Sequence, residues 1–230
     1  MRRFPILRIN SNHWINRKWP WLLGAVFLCL WLGTCGWGCG CPEGPPQYGV
    51  VQEVVDGDTI ILTDGRTVRY LGIDTPEMGQ NHQPPDFLAE EAKKFNAQLV
   101  QNQRLRLEYD VERYDQYGRL LAYLFLPDNR MVNAELIRQG LAQVYLIPPN
   151  LRYQDLLVAC QRQAMEARKG IWQRPLKADE PYYVGNSRSF RFHRPHCPAA
   201  KRMSRQNRII FAHPQEAYFQ GYGPCKMCRP

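Results

Sequence analysis

The central part of the chain is written mostly in alternating apolar and polar positions. Val50–Leu62 and Thr67–Ile73 are β-rich and joined by TDGR at Thr63–Arg66, an Asp-Gly hairpin signal. RLRLEY at Arg104–Tyr109 alternates as a strand, and Leu120–Leu126 is a further apolar strand after the turn DQYGR. Between these runs the period lengthens. Leu88, Ala92, Phe95 and Leu99 fall on one face at helical spacing. Met131–Gly140 predicts a short helix with Asn133 as N-cap and Gly140 as terminator. A last long helix is predicted from Leu151 to Arg168, capped by Asn150 and closed by Gly170. The pattern as a whole predicts a small α+β fold around a barrel-like sheet.

Proline-rich and polar stretches divide the chain. Segment 1–41 is a basic lead and an apolar run, 42–49 (PEGPPQYG) a linker, and 50–172 the α+β domain. Segment 173–181 is a second linker, and 182–230 is a basic Cys/His-containing tail. Net charge is +9, and it is unevenly spread. The first 41 residues carry Arg2, Arg3, Arg8, Arg17 and Lys18 and no acid, whereas the domain is mildly acidic. The last fifty residues hold nine basic residues against Glu216 alone. A basic tail of this kind suits a polyanionic partner or a solvated surface.

Trp21–Cys39 is a run of 19 uncharged residues behind the basic lead. It predicts an apolar helix serving as a signal or membrane anchor, with the cations left in the cytoplasm and the rest exported. LGTC at Leu32–Cys35 loosely matches a lipidation signal at Cys35. Of the eight cysteines, Cys29, Cys35, Cys39 and Cys41 accompany this run, and Cys160 sits in a helical pattern as a core residue. Cys197, Cys225 and Cys228 lie in the tail.

The segment VVDGDTIILTDGRTVRYLGIDTPE (Val54–Glu77) holds more charge than a hairpin needs. Antiparallel pairing brings the start of one strand near the end of the next, so Asp58 can approach Asp74. Two carboxylates with a backbone carbonyl and water make a hard oxygen site for Ca²⁺ or Mg²⁺. Pro76 holds Glu77 just beyond that site. Arg69 stands among apolar neighbours and needs an anion, either a phosphate or a carboxylate such as Glu77. Taken singly, each piece has a structural explanation: DGDT is a turn sequence, and TPE can open a helix.

VVDGDT, VRYLGIDTPE, DQYGRLLAYLF and MVNAELIRQGLAQVY, in that order, resemble the staphylococcal nuclease (thermonuclease) family from about Val50 to Trp172. The resemblance implies an OB-type five-stranded β-barrel carrying three helices. By position it implies calcium ligation by Asp58, Asp74 and the backbone carbonyl of Thr75. It places a general base at Glu77 and phosphate-binding arginines at Arg69 and Arg119. Asp56 stands as a supporting carboxylate and Asp115 in the turn before Arg119. Tyr117 and Tyr145 fall where the family flanks the nucleotide. LAQVYLIPPN is one residue shorter than the family pattern and lacks its second tyrosine, and the loop after Glu77 is poor in lysine.

In the tail, Cys225-x₂-Cys228 has metal-knuckle spacing, and His193-x₃-Cys197 completes a tetrahedral Cys₃His zinc site. His196 competes as the fourth ligand, and a Cys225–Cys228 disulfide is the alternative in an exported protein. FAHPQEAYFQGYGPCKMC (Phe211–Cys228) resembles the zinc-binding domain of Ada-type methyl-repair proteins. That family uses four cysteines and accepts a methyl group on the first. His193 occupies the first position here, so methyl transfer is not expected. The tail's arginines, with Phe190, Phe192 and Tyr222, are candidates for contact with phosphates and bases, or form a solvated surface.

Together these readings predict an exported, membrane-tethered or secreted, monomeric Ca²⁺-dependent nuclease. It would cut DNA and RNA to 3′-phosphate ends and carry a zinc-binding appendage. The competing expectation is a nucleic-acid-binding protein that does not cut.

Overall fold

The computed structural model describes residues 47–79 and 83–230. The basic lead, the apolar run Trp21–Cys39 and the candidate lipidation site at Cys35 lie outside the described residues. Among the described residues no helix is long and apolar enough to cross a membrane.

Along the chain run β1 (Tyr48–Val54), β2 (Thr59–Leu62), β3 (Thr67–Tyr70), β4 (Ile73–Asp74), α1 (Ala89–Val100), β5 (Arg104–Glu108) and β6 (Leu120–Phe125). There follow α2 (Val132–Arg138), β7 (Gln143–Val144) and α3 (Gln154–Glu166). The tail adds β8 (Tyr183–Asn186), β9 (Arg191–His193), α4 (Pro198–Lys201), β10 (Arg208–Phe211), α5 (Pro214–Phe219) and β11 (Gly223–Pro224). Five strands close into a barrel in the order β1-β2-β3-β6-β5. Its pairs are antiparallel except β3–β6, which run parallel, with α1 and β5 in the crossover between them. Ile60, Leu62, Val68, Leu105, Leu107 and Leu120 fill the interior, which is what the alternating pattern requires.

Val50–Leu62 is two strands rather than one. Asp56 and Gly57 turn the chain between β1 and β2, and the Thr59 carbonyl accepts the amides of Val55 and Asp56. Gly57 is needed here because a Cβ would lie 2.7 Å from the Thr75 side chain. Helix α1 is buried along Ala89, Ala92, Asn96 and Val100, one position round from the expected face; Phe95 and Leu99 are only partly buried. Asn96 is drawn inward because its amide accepts from the Tyr70 hydroxyl (2.9 Å) and donates to the Asp56 carbonyl (3.1 Å).

Neither predicted asparagine cap serves as one. Asn133 lies inside α2, fully buried, donating to the Leu71 carbonyl (2.9 Å) and accepting from the Leu124 amide (3.0 Å). Asn150 instead pairs with both backbone groups of Glu112 at 2.8 and 3.0 Å. Helix α3 begins three residues later than expected, at Gln154, behind Tyr153. Gly140, at positive φ, ends α2 as expected, but α3 stops at Glu166 with Arg168 at positive φ behind it, and Gly170 opens the 3₁₀ turn Gly170–Gln173 instead. A Cβ on Gly140 would lie 2.2 Å from the Lys169 carbonyl oxygen, and one on Gly170 2.1 Å from the Gly140 carbonyl oxygen.

The tail folds as a four-stranded sheet, β10-β8-β9-β11, and shares a core with α3. Ala164 and Met165 of α3 pack with Trp172, Tyr183, Phe192, Phe211 and Tyr218. Phe192 and Tyr222 are buried in this way, so they do not face solvent as base contacts. Gln161, also fully buried, accepts the Val144 amide (2.7 Å) and donates to the Tyr218 carbonyl (2.5 Å).

Candidate functional site

The turn before β2 and the short pair β4–β7 bring Asp58 and Asp74 to one end of the barrel. Asp74 pairs with Gln143 in β7, and the Asp58 carbonyl accepts the Tyr70 amide (2.9 Å) across from β3. Both carboxylates are buried, and Arg69 spans them, with one guanidinium nitrogen 2.5 Å from Asp58 and the other 3.0 Å from Asp74. The Thr75 amide donates to Asp58 at 2.9 Å, and Asp56 accepts the Asp58 amide at 2.9 Å. Arg69 therefore pairs with the two aspartates and not with Glu77.

These groups are mutually dependent. Burial raises the Asp58 carboxyl, Arg69 opposes that effect, and the nearby Asp56 reinforces it. Burial alone would weaken the Arg69 guanidinium, but Asp58 and Asp74 hold it above the usual arginine range. The result is a cluster richer in carboxylate than one arginine can neutralise. Its oxygen donors suit a hard divalent cation, with the two carboxylates open to completion by backbone oxygen and water.

Glu77 lies beyond Pro76 with its side chain mostly exposed. Its backbone is clasped: the Glu77 amide donates to the Asp86 carboxylate (3.1 Å), and the Asp86 amide donates to the Glu77 carbonyl (3.0 Å). Arg119 and Tyr117 belong to a separate unit, the turn before β6. Asp115 accepts from the Arg119 Nε (2.7 Å) and from the amides of Tyr117 and Arg119 (both 2.9 Å). Parallel pairing of Arg69 with Leu121 sets that turn at the entry of the strand beside β3. Tyr117 is 75% exposed, and the Arg119 guanidinium carbon stands 5.5 Å from its ring centroid. Tyr145 is half-buried, with the Arg191 guanidinium 3.3 Å from its ring centroid.

A second site lies in the tail. His193 ends β9, Cys197 precedes α4, and Cys225 and Cys228 follow β11; their ligand atoms all lie within 4.8 Å of one another. Among the described residues this is the one group of three or more His, Cys, Asp and Glu side chains drawn so close. The cysteines are free thiols, so the Cys225–Cys228 disulfide is not formed. Burial and the neighbouring Arg191 lower the His193 imidazole, keeping it neutral as ligation requires. Burial would raise the Cys197 thiol, but the amides of Ala199 and Ala200 bring it below the usual thiol range. The donor set fits tetrahedral zinc. His196 is exposed and outside the group.

The two sites meet in one cleft of about 780 Å³. Asp74, Thr75, Glu77 and Gln143 line one side, and Cys225, Lys226 and Arg229 another. Lys226 reaches Asp74 at 3.3 Å and Glu77 at 3.4 Å. Sequence reading missed this residue, because nothing in a Cys-x₂-Cys spacing signals a contact 152 residues away.

The family described as "Staphylococcal nuclease homologue" matches residues 67–174. "Thermonuclease" of Staphylococcus intermedius is 42% identical over 128 residues, which cover 54% of this chain and 76% of the relative. The chain belongs to the staphylococcal nuclease family. A second thermonuclease, from Staphylococcus hyicus, is 41% identical over 136 residues, 58% of this chain and 80% of that relative. Endonuclease YncB of Bacillus subtilis is 38% identical over 144 residues, 59% and 68% of the two chains. Residues 166–230 match the "Metal binding domain of Ada". The chain is thus a staphylococcal nuclease family barrel, of the expected α+β class, with an Ada-like metal-binding segment behind it.

Proposed function

We propose that this chain is a calcium-dependent nuclease that hydrolyses phosphodiester bonds of DNA and RNA, leaving 5′-hydroxyl and 3′-phosphate ends. The observation carrying the reading is the pair of buried carboxylates, Asp58 and Asp74, drawn onto Arg69 beside Glu77. Relatives named thermonuclease and endonuclease support the same reading.

Asp58, Asp74 and the Thr75 carbonyl would hold calcium, which when bound neutralises charge developing on the phosphoryl oxygens. Arg69 lies between the two carboxylates, where its fork can turn from a carboxylate to a phosphate oxygen. Glu77 accepts the proton of the attacking water as the new P–O bond forms. The P–O5′ bond breaks, and the departing oxygen takes up a proton from solvent water. Arg119, on the turn that Asp115 holds rigid, steadies that oxygen and the phosphate. Tyr117 offers its exposed ring to a base, and Tyr145, stacked with Arg191, frames the nucleotide. His193, Cys197, Cys225 and Cys228 hold structural zinc. Domain limits at 50–172 and 182–230, with export directed by residues 1–41 and a monomeric state, complete the proposal.

The test is cleavage of an end-labelled oligonucleotide with Ca²⁺ and with a calcium-selective chelator. Calcium-dependent fragments that a 3′-phosphatase converts to 3′-hydroxyl ends support the reading. Gel retardation of intact DNA under all conditions would instead establish a binder that does not cut.

A further inference from the structure

Lys226 lies between two of the zinc-site cysteines but contributes nothing to that site. Its ammonium is directed the other way, 3.3 Å from Asp74 and 3.4 Å from Glu77, with Tyr145 5.3 Å below it. Its backbone is set on both sides. The Cys225 amide donates to the Phe192 carbonyl (3.0 Å), and the Arg229 amide closes the turn on the Cys225 carbonyl (2.9 Å). The cysteines that flank it are themselves gathered into the His/Cys group. A lysine on a free loop would lose considerable entropy on being held at one point; here the knuckle has already fixed its root.

Neutralising Asp74 alone does not account for this placement, because Asp74 already shares Arg69. The cleft has a different requirement. An incoming phosphodiester strand must approach Asp56, Asp58, Asp74 and Glu77, while Arg69 is sunk between two of them. Lys226 is more than half exposed at the rim, and Arg229 lines the same wall. Two of its three N–H groups are used by carboxylates, which leaves one for a phosphate oxygen.

We propose that Lys226 is a substrate-binding residue of the nuclease cleft, delivered by the metal-binding segment to hold a backbone phosphate of the strand lying across Asp74 and Glu77. The inference rests on the nuclease reading for the identity of the cleft, and its test separates the two.

The experiment measures binding of a short labelled single strand to the full chain by fluorescence anisotropy, without added calcium, across a salt series. Wild type is compared with Lys226→Gln, Lys226→Met and Lys226→Arg, with zinc content checked for each. Loss of the ammonium should weaken binding about five- to tenfold, the scale of one net hydrogen bond made at an exposed rim. It should also flatten the salt dependence by about 0.7 in log–log slope, the value for one phosphate on a single strand. Lys226→Arg should stay near wild type. In cleavage assays with calcium, KM should rise by the same factor while kcat falls less. Lys226→Met keeps the apolar stem and gives the same reading if Gln disturbs the knuckle. Unchanged affinity and slope would overturn the proposal, as would tighter binding or faster cutting by Lys226→Gln, which would mark the lysine as a plug. A wild type that binds through Lys226 yet never cuts would leave the contact standing and remove the nuclease reading.

Discussion

Gln161 is the residue through which the barrel and the tail most directly depend on each other. It is fully buried in α3, accepts the Val144 amide at 2.7 Å and donates to the Tyr218 carbonyl at 2.5 Å. Gln161→Leu keeps nearly the same volume, so its cost is not a cavity. It strands the buried Val144 amide, whereas the Tyr218 carbonyl keeps the Gly221 amide at 2.9 Å. One unsatisfied buried group costs about 1–3 kcal/mol, so the expected loss is about 2 kcal/mol. A domain of this size shifts by about 2–4 °C per kcal/mol, so Tm should fall by about 4–8 °C. Arg162→Ala is the control, since its bond to the Phe219 carbonyl (2.8 Å) is exposed and should cost under about 1 kcal/mol. Calorimetry on both variants reads the difference, and zinc content reports whether the tail has detached. If Gln161→Leu melts no lower than Arg162→Ala, the two parts do not share a buried polar link.

Three further outcomes are expected. His193→Ala should lower bound zinc from one per chain toward zero by mass spectrometry; a wild type without zinc, or a variant that keeps it fully, contradicts the ligand set. Arg69→Lys replaces a fork that spans Asp58 and Asp74 with a single point charge, so cleavage should fall on the order of 10²-fold, and a change within about threefold would exclude a transition-state role. Asp115 gives a pH prediction: burial works against its charge, but the backbone and side chain of Arg119 hold the carboxyl below the usual carboxylate range. A depressed folded value stabilises above the unfolded pKa and is lost as pH falls through the folded one. Amide exchange at Tyr117–Arg119 should therefore stay slow past about pH 4 and rise only in stronger acid; a rise already near pH 4 would show that the clasp is not formed.

The barrel strands and the acidic cluster were legible because both are written in local spacing. Period-two runs set β3, β5 and β6, and the Asp-Gly turns closed the hairpins. Where a residue acts across the fold, local rules misassigned it. Asn133 and Asn150 stand where caps are expected, but each is more valuable to the fold as a partner for distant backbone. The buried face of α1 shifted by one position because Asn96 has polar partners inside, a fact invisible to apolar periodicity. Phe192 and Tyr222 looked like base contacts in a basic tail, yet that tail needs them to build a core against α3. Lys226 carried no signal, since its role arises only when the knuckle is packed beside Asp74.

If the cluster around Arg69 cuts phosphodiesters with Glu77 at the water, the single-turnover cleavage rate of Glu77→Gln with calcium, measured beside its affinity for the same oligonucleotide, will show it. Glu77 is exposed and contributes no core packing, so the variant should fold, and with one carboxylate fewer beside Lys226 it should bind strand at least as tightly as wild type. The rate should be lower on the order of 10²–10⁴-fold, the scale of general-base catalysis. A Glu77→Gln protein that cuts at the wild-type rate would remove Glu77 from the chemistry.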